Sequence, residues 1–199
     1  MRKIDPSVFT LFGVEEEPEE LDTALPTPRV GKGGGVVPPS FATLTEAIAY
    51  VQSNLEEGVV CPCCKQVAKL YKRTLNVSMA RSLIWLHHQS GTDTLEGAGL
   101  WVDVPKIAPN WLLKSREMPK LYHWGLIEEM AKDPGDTTRR TSGLWRPTEK
   151  GVQFVQCLLQ VPKRVYLYNN EILGWDDQTV TIRDALGTKF DYAELMGAV

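Results

Sequence analysis

Two sets of side chains in this 199-residue chain have the types and spacing to do chemistry. The first is made of thiols. Cys61-Pro62-Cys63-Cys64 puts Cys61 and Cys64 in C-x-x-C register around a proline turn, the form of one half of a zinc knuckle, where a tight turn aims two thiolates at one metal. Cys63 is a third candidate ligand. The second half of such a site is missing, because no other C-x-x-C occurs. A tetrahedral zinc would have to recruit Cys63, Cys157, His87, His88 or His123, or ligands from another chain. A reduced structural turn, or the remnant of a lost site, is the competing reading. The second set is cationic: Arg116, Lys120 and His123 at helical spacing, the pair Arg139-Arg140, and Arg146, Lys72 and Arg73 elsewhere in the same stretch. Such groups approach phosphates or base edges of nucleic acid.

Catalytic groupings are missing from the sequence. It has no Gly-x-Ser-x-Gly, no Walker loop and no His-Glu-x-x-His, and Gly33-Gly34-Gly35 lacks the strand-to-helix setting of a phosphate loop. C-x-x-C redox chemistry would need a βαβ setting that the flanking residues do not provide. A non-enzymatic protein is expected.

Charge divides along the chain more sharply than its total of −3 suggests. Residues 1–60 carry 4 Lys and Arg against 10 Asp and Glu, residues 61–170 carry 16 against 9, and residues 171–199 carry 2 against 6. A basic middle between acidic ends suits a nucleic-acid surface flanked by solvating segments. Apolar runs are short and the N-terminus lacks an apolar signal core, so a cytoplasmic protein with no membrane span is expected.

The elements that must carry these groups follow from pattern. Residues 1–42 read as a disordered or extended arm: an acidic run at Glu15–Glu20, then a Pro- and Gly-rich stretch from Pro26 to Pro39. Its Val8–Phe12 patch suits either a partner-binding motif or packing on the domain. Thr43 and Glu46 have capping-box spacing for a helix with Leu44, Ile48, Val51 and Leu55 on one face. The Cys turn follows, then a strand from Val67 to Leu75. Asn76 or Ser78 caps a helix over about Val77–Gln89, with Ala80, Leu83, Ile84 and His87 on its core face. A short strand at Trp101–Val104 and a helix near Asn110 come next. Ser115 can cap a further helix, 115–124, with Met118, Leu121 and Tyr122 as its apolar stripe, Trp124 buried at its end, and Gly125 as its stop. Leu126-Ile127 opens a strand, a polar loop over 131–143 carries Arg139-Arg140, and Thr148 caps a helix from Glu149 to Gln160 that presents Val152, Val155, Leu158 and Leu159 inward, with Cys157 a small core residue. Asn169-Asn170 joins strands Arg164–Tyr168 and Glu171–Trp175, Thr179–Arg183 is a strand, and Asp184–Gly187 a turn.

This order, helix, short helix, third helix, hairpin, helix, is carried by HWGLIEE followed by LWRPTEKGVQFV. From about Asn76 to Leu159 it resembles a winged helix-turn-helix domain of the MarR-like kind. More widely, from Cys61 through LYKRTL to RVYLYNNEILGWDDQTVTIRDALGTKFDYAELM, the chain is similar to a group of largely uncharacterised phage-encoded proteins. The expected fold is α+β. It has a winged-helix core at 76–162, an added N-terminal helix, Cys turn and strand at 43–75, and a small C-terminal β appendage at 163–199.

The leading functional expectation is a DNA-binding protein, of the kind found among phage-type transcription regulators, that uses helix 115–124 and a basic wing at 131–143. Its site would comprise Arg116, Lys120, His123, Arg139, Arg140, Arg146, Lys72 and Arg73. The alternative is a winged-helix module that docks on a host or phage protein. A homodimer is compatible with either. Zinc, if held, would sit on Cys61, Cys64 and Cys63.

Overall fold

The computed structural model describes residues 29–30, 36–37, 39–91, 99–135, 137 and 141–197. The Val8–Phe12 patch, the acidic run and Arg139-Arg140 lie outside the described residues. In chain order the elements are β1 (Arg29–Val30), β2 (Val36–Val37), α1 (Leu44–Ser53), β3 (Val59–Val60), β4 (Val67–Ala68), β5 (Tyr71–Thr74) and α2 (Val77–Ser90). Then come β6 (Val102–Asp103), α3 (Val104–Ile107), α4 (Asn110–Ser115), a 3-10 segment (Met118–Trp124), β7 (Ile127–Glu129), β8 (Leu144–Pro147) and α5 (Glu149–Val155). The chain ends with β9 (Val161–Pro162), β10 (Arg164–Tyr168), β11 (Glu171–Trp175), β12 (Thr179–Val180), α6 (Ile182–Leu186) and α7 (Tyr192–Leu195). The class is α+β, with small antiparallel sheets among the helices.

The chain divides into two compact units. The first is Met1–Lys72 with Tyr166–Gly174, the second Arg73–Val165 with Trp175–Val199. In the first unit the Thr43–Glu46 capping box forms as the spacing predicts: Glu46 N–H donates to Thr43 Oγ1 (3.3 Å) and Thr43 N–H to Glu46 Oε2 (3.2 Å). The buried face of α1 differs from the expected one. Ala47 and Tyr50 point inward and Leu44 is 66% exposed, because the small core of Tyr50, Leu55, Val59 and Ala68 meets the helix one residue round from the Leu44 stripe. The strand predicted from Val67 to Leu75 is broken at Lys69-Leu70, where Leu70 N–H turns to the Leu55 carbonyl (2.7 Å), so β4 and β5 belong to different sheets. Asn169 and Asn170 both take left-handed backbone (φ 49° and 66°), which a two-residue hairpin turn of this type requires.

The second unit is built around α2. Asn76 caps it, with Oδ1 accepting from Met79 N–H (3.1 Å), and Gly91 ends it in the left-handed conformation. Met79, Ala80, Leu83, Ile84, Leu86 and His87 are buried. A three-stranded antiparallel sheet runs in the order β6-β8-β7, with Val102 opposite Trp145 and Ile127 opposite Pro147.

Several expectations fail in this unit beyond the expected wing. Helix α5 stops at Val155 and not at Gln160, because Cys157 turns left-handed (φ 62°). Leu158 is consequently 64% exposed, and Cys157 is half-buried with its thiol against the Tyr192 hydroxyl. Thr179–Arg183 is a strand only to Val180. Thr181 and Asp184 then close a capping box, so the segment read as a turn becomes α6, which buries Ile182 and Leu186 against α2. The C-terminus is thus a strand pair, β9 with β12, followed by two short helices, and residues 175–199 belong to the second unit.

Candidate nucleic-acid interface

The segment expected as one helix from Ser115 to Trp124 is two pieces. Ser115 is the last residue of α4 and caps nothing ahead of it. Its hydroxyl donates to the Leu112 carbonyl (2.9 Å) and accepts from Glu117 N–H (3.4 Å). Arg116 follows in left-handed backbone (φ 53°), which breaks the helix, and Pro119 brings no N–H to the next turn. What forms beyond is 3-10. Its period of three residues puts Met118, Leu121 and Trp124 on one face, and all three are buried, while Tyr122, the residue a 3.6 period would bury, is 62% exposed.

The end of this segment is tied down from both sides. Gly125 (φ 66°) closes it. The Thr148 hydroxyl donates to the Gly125 carbonyl (2.6 Å), Thr148 N–H to the Leu126 carbonyl (3.1 Å) and the Lys150 ammonium to the Trp124 carbonyl (2.7 Å). The start of α5 therefore fixes where the 3-10 segment ends and β7 begins.

A cluster forms at the other end. Glu117 accepts from Asn76 Nδ2 (3.1 Å) and pairs with Lys120, and Arg73 stands close enough to act on both Glu117 and His123. Burial pushes the Glu117 carboxyl up, but Lys120, Asn76 and Arg73 outweigh it and hold the group below the usual carboxylate range. Burial, then Arg73, lowers the His123 imidazole from its ordinary value and so disfavours its charged form.

Of the basic residues singled out by type, the structure brings Arg73, Lys120 and His123 together, with Arg116 exposed next to Glu117 in the chain. Arg146 is engaged elsewhere. Its Nε donates to Glu128 Oε1 (2.6 Å) and its guanidinium lies 4.2 Å from the Trp101 ring centre. Lys72 belongs to the first unit, where its ammonium faces the Tyr166 ring at 5.8 Å. Comparison with known protein families, curated proteins and solved structures finds no match.

Between β7 and β8 runs the loop 130–143. At its base Glu129 Oε1 accepts from Gly143 N–H (3.3 Å) and the Ser142 hydroxyl (3.4 Å), and Asp133 Oδ1 accepts from Gly135 N–H (2.9 Å). Gly143 is held at φ 74° close to Pro105, where any Cβ would lie 2.9 Å from the proline ring. The loop is anchored at its ends, and of its described residues 131, 133–135, 137 and 141 are exposed.

Sequence reasoning missed Asn76 as a double-ended clamp and Glu117 as the centre of the cluster. Only the capping role of Asn76 had a local signal, since the Glu117 contact is 41 residues away. It also missed Arg81, whose guanidinium lies 3.9 Å from the Trp111 ring centre and 4.6 Å from that of Phe190. Trp111 is consequently half-buried.

Asn76→Ala should remove the α2 cap and a partner of Glu117 together. The expected loss is about 1–2 kcal/mol in urea unfolding at neutral pH. Because the folded carboxyl is held below its unfolded value, the Glu117 contribution is present above that unfolded value and is lost as pH falls through the folded one. A wild-type unfolding midpoint in Asn76→Ala would refute the clamp.

The thiol set is in the first unit. Cys61 is half-buried and Cys63 and Cys64 are exposed. Among the described residues no group of three or more His, Cys, Asp or Glu side chains is arranged to hold a metal ion. Among them, too, no helix is long and apolar enough to cross a membrane.

Proposed function

We infer that the second unit is a winged helix-turn-helix and that the protein is a non-enzymatic, cytoplasmic DNA binder, with 118–124 as its recognition segment and 130–143 as its wing. The observation that carries this reading is the sheet order β6-β8-β7. The strand ahead of α3 and α4 pairs with β8, which leaves β7 and β8 joined by a hairpin whose loop contains Arg139-Arg140 in sequence. That order supports reading the unit as a helix pair, a third helical segment and a wing.

Arg73 and Lys120, beside the exposed Arg116, supply the positive charge next to the recognition segment. Lys120 meets a phosphate by exchanging it for Glu117. The short segment offers few base-reading side chains, so phosphate contacts dominate and duplexes of different sequence bind with similar affinity.

Arg139→Ala together with Arg140→Ala should weaken binding to unrelated duplexes by the same factor. It should also flatten the slope of log affinity against log salt by about 1.8, the loss of two phosphate contacts. Fluorescence anisotropy with two duplexes of different sequence reads both quantities, and an unchanged slope removes the wing from the interface.

A second reading rests on a different observation. Tyr122 on the 3-10 segment, Leu113 on α4 and Ile107 on α3 are exposed apolar or aromatic side chains. They suit docking on a protein partner. A stoichiometric partner captured after nuclease treatment and released by Tyr122→Ala would favour that reading over DNA.

A further inference from the structure

The Cys61–Cys64 turn carries two thiols in C-x-x-C spacing, Cys61 half-buried and Cys64 exposed. It caps the β3–β4 hairpin, in which Val60 pairs with Val67. Cys61 N–H donates to the Gln66 carbonyl (2.8 Å) and Lys65 N–H to the Cys61 carbonyl (2.9 Å). Lys65 completes the turn in left-handed backbone (φ 63°), where glycine would be the unstrained choice.

Ligand counting decides what completes it. A thiolate-bound zinc takes four ligands tetrahedrally at about 2.3 Å for sulfur. All four cysteines and all three histidines of the chain are among the described residues, and no set of three side chains converges there. One chain therefore offers at most the two thiols of the C-x-x-C pair, and two chains related by a two-fold axis offer four.

The surroundings suit a second copy. Residues 63–67 are all exposed, so the turn is open to approach. Exposed apolar side chains flank it: Val67 on the hairpin is 65% accessible, and Leu44 lines an open depression of about 530 Å³ whose other wall includes Pro62 and Cys63. The Lys65 ammonium, 2.7 Å from the Pro62 carbonyl, puts positive charge inside each turn, offsetting the net charge of −2 that four thiolates leave on a zinc ion.

We propose that Cys61 and Cys64 of two copies of this chain bind one zinc ion between them, making a metal-bridged homodimer. Binding releases the thiol protons to solvent and involves no change of oxidation state.

The test uses the full-length chain, reduced and metal-free, titrated with Zn²⁺ and in parallel with Co²⁺, with metal per chain and sedimentation velocity as readouts. The expected result is one ion per two chains, a zinc-dependent shift from monomer to dimer reversed by a chelator, and a cobalt absorption spectrum of a four-thiolate site. Cys61→Ser with Cys64→Ser should lose ion and dimer together, while Cys157→Ser keeps both. If the double variant fails to fold, the wild-type stoichiometry and cobalt spectrum still decide. One zinc per monomeric chain, no zinc bound by the reduced protein, or a zinc-dependent dimer that survives the double substitution would each overturn the proposal.

Discussion

Gly151→Ala is expected to destabilise the second unit by about 3 kcal/mol or more, roughly 6–12 °C in melting temperature for a chain of this size. Gly151 sits in the first turn of α5, and a Cβ built there would lie 2.0 Å from the Leu126 carbonyl oxygen and 3.0 Å from its carbon. Those are backbone atoms, so no rotamer change relieves the clash. The helix must move off the start of β7. In doing so it strains the Thr148 contacts to Gly125 and Leu126 and the Lys150 contact to Trp124. The substitution thus acts on the recognition segment from outside it, and a valine should cost more than an alanine. Calorimetric melting checks this, and a Gly151→Ala protein that melts with the wild type would mean that α5 does not press on Leu126.

Trp124→Ala should cost a similar or larger amount, about 3–5 kcal/mol. Trp124 is fully buried at the end of the 3-10 face, its Nε1–H donates to the Pro162 carbonyl (2.7 Å), and its ring meets Trp175 edge-on with centres 6.2 Å apart. Three effects combine on truncation: lost apolar burial, a cavity, and a carbonyl left without its donor. Trp124→Phe separates them, keeping most of the burial and losing the hydrogen bond, and should cost about 1–3 kcal/mol. Urea unfolding followed by fluorescence of the remaining tryptophans reads the series. Equal midpoints for the Phe variant and the wild type would show that the Pro162 contact contributes nothing.

What could be read from the chain divides by the range of the interaction. Most caps and turns were legible because they are local: Thr43 with Glu46, Asn76 with Met79, Thr148 with Gly151 and the Asn169-Asn170 turn form as their spacing implies, whereas Ser115 ends a helix and Asp184 to Leu186 are helical. Helix lengths were less so. Periodicity alone could not say that Arg116 and Cys157 would turn left-handed, and each shortened or split a helix that an apolar pattern would have extended. Met118, Leu121 and Trp124 fit a period of three as well as one of 3.6, so Tyr122 was assigned inward when the tighter helix leaves it outside.

At the candidate site, residue type found Arg73, Lys120 and His123 but not the carboxylate that organises them. Glu117 gains its role through Asn76, which is distant in sequence. Arg146 looked like a phosphate ligand for the same reason that it makes a good partner for Glu128 and Trp101. A guanidinium serves either purpose, and the neighbours that choose between them come from other strands.

The measurement that bears most directly on DNA binding is a titration of the full-length chain with a duplex of mixed sequence, repeated from about 50 to 200 mM salt, the range over which phosphate contacts lose affinity steeply. A straight fall of log affinity with log salt, with a slope of about −2 or steeper, is the predicted result. No binding at the lowest salt, or an affinity indifferent to salt, would contradict it.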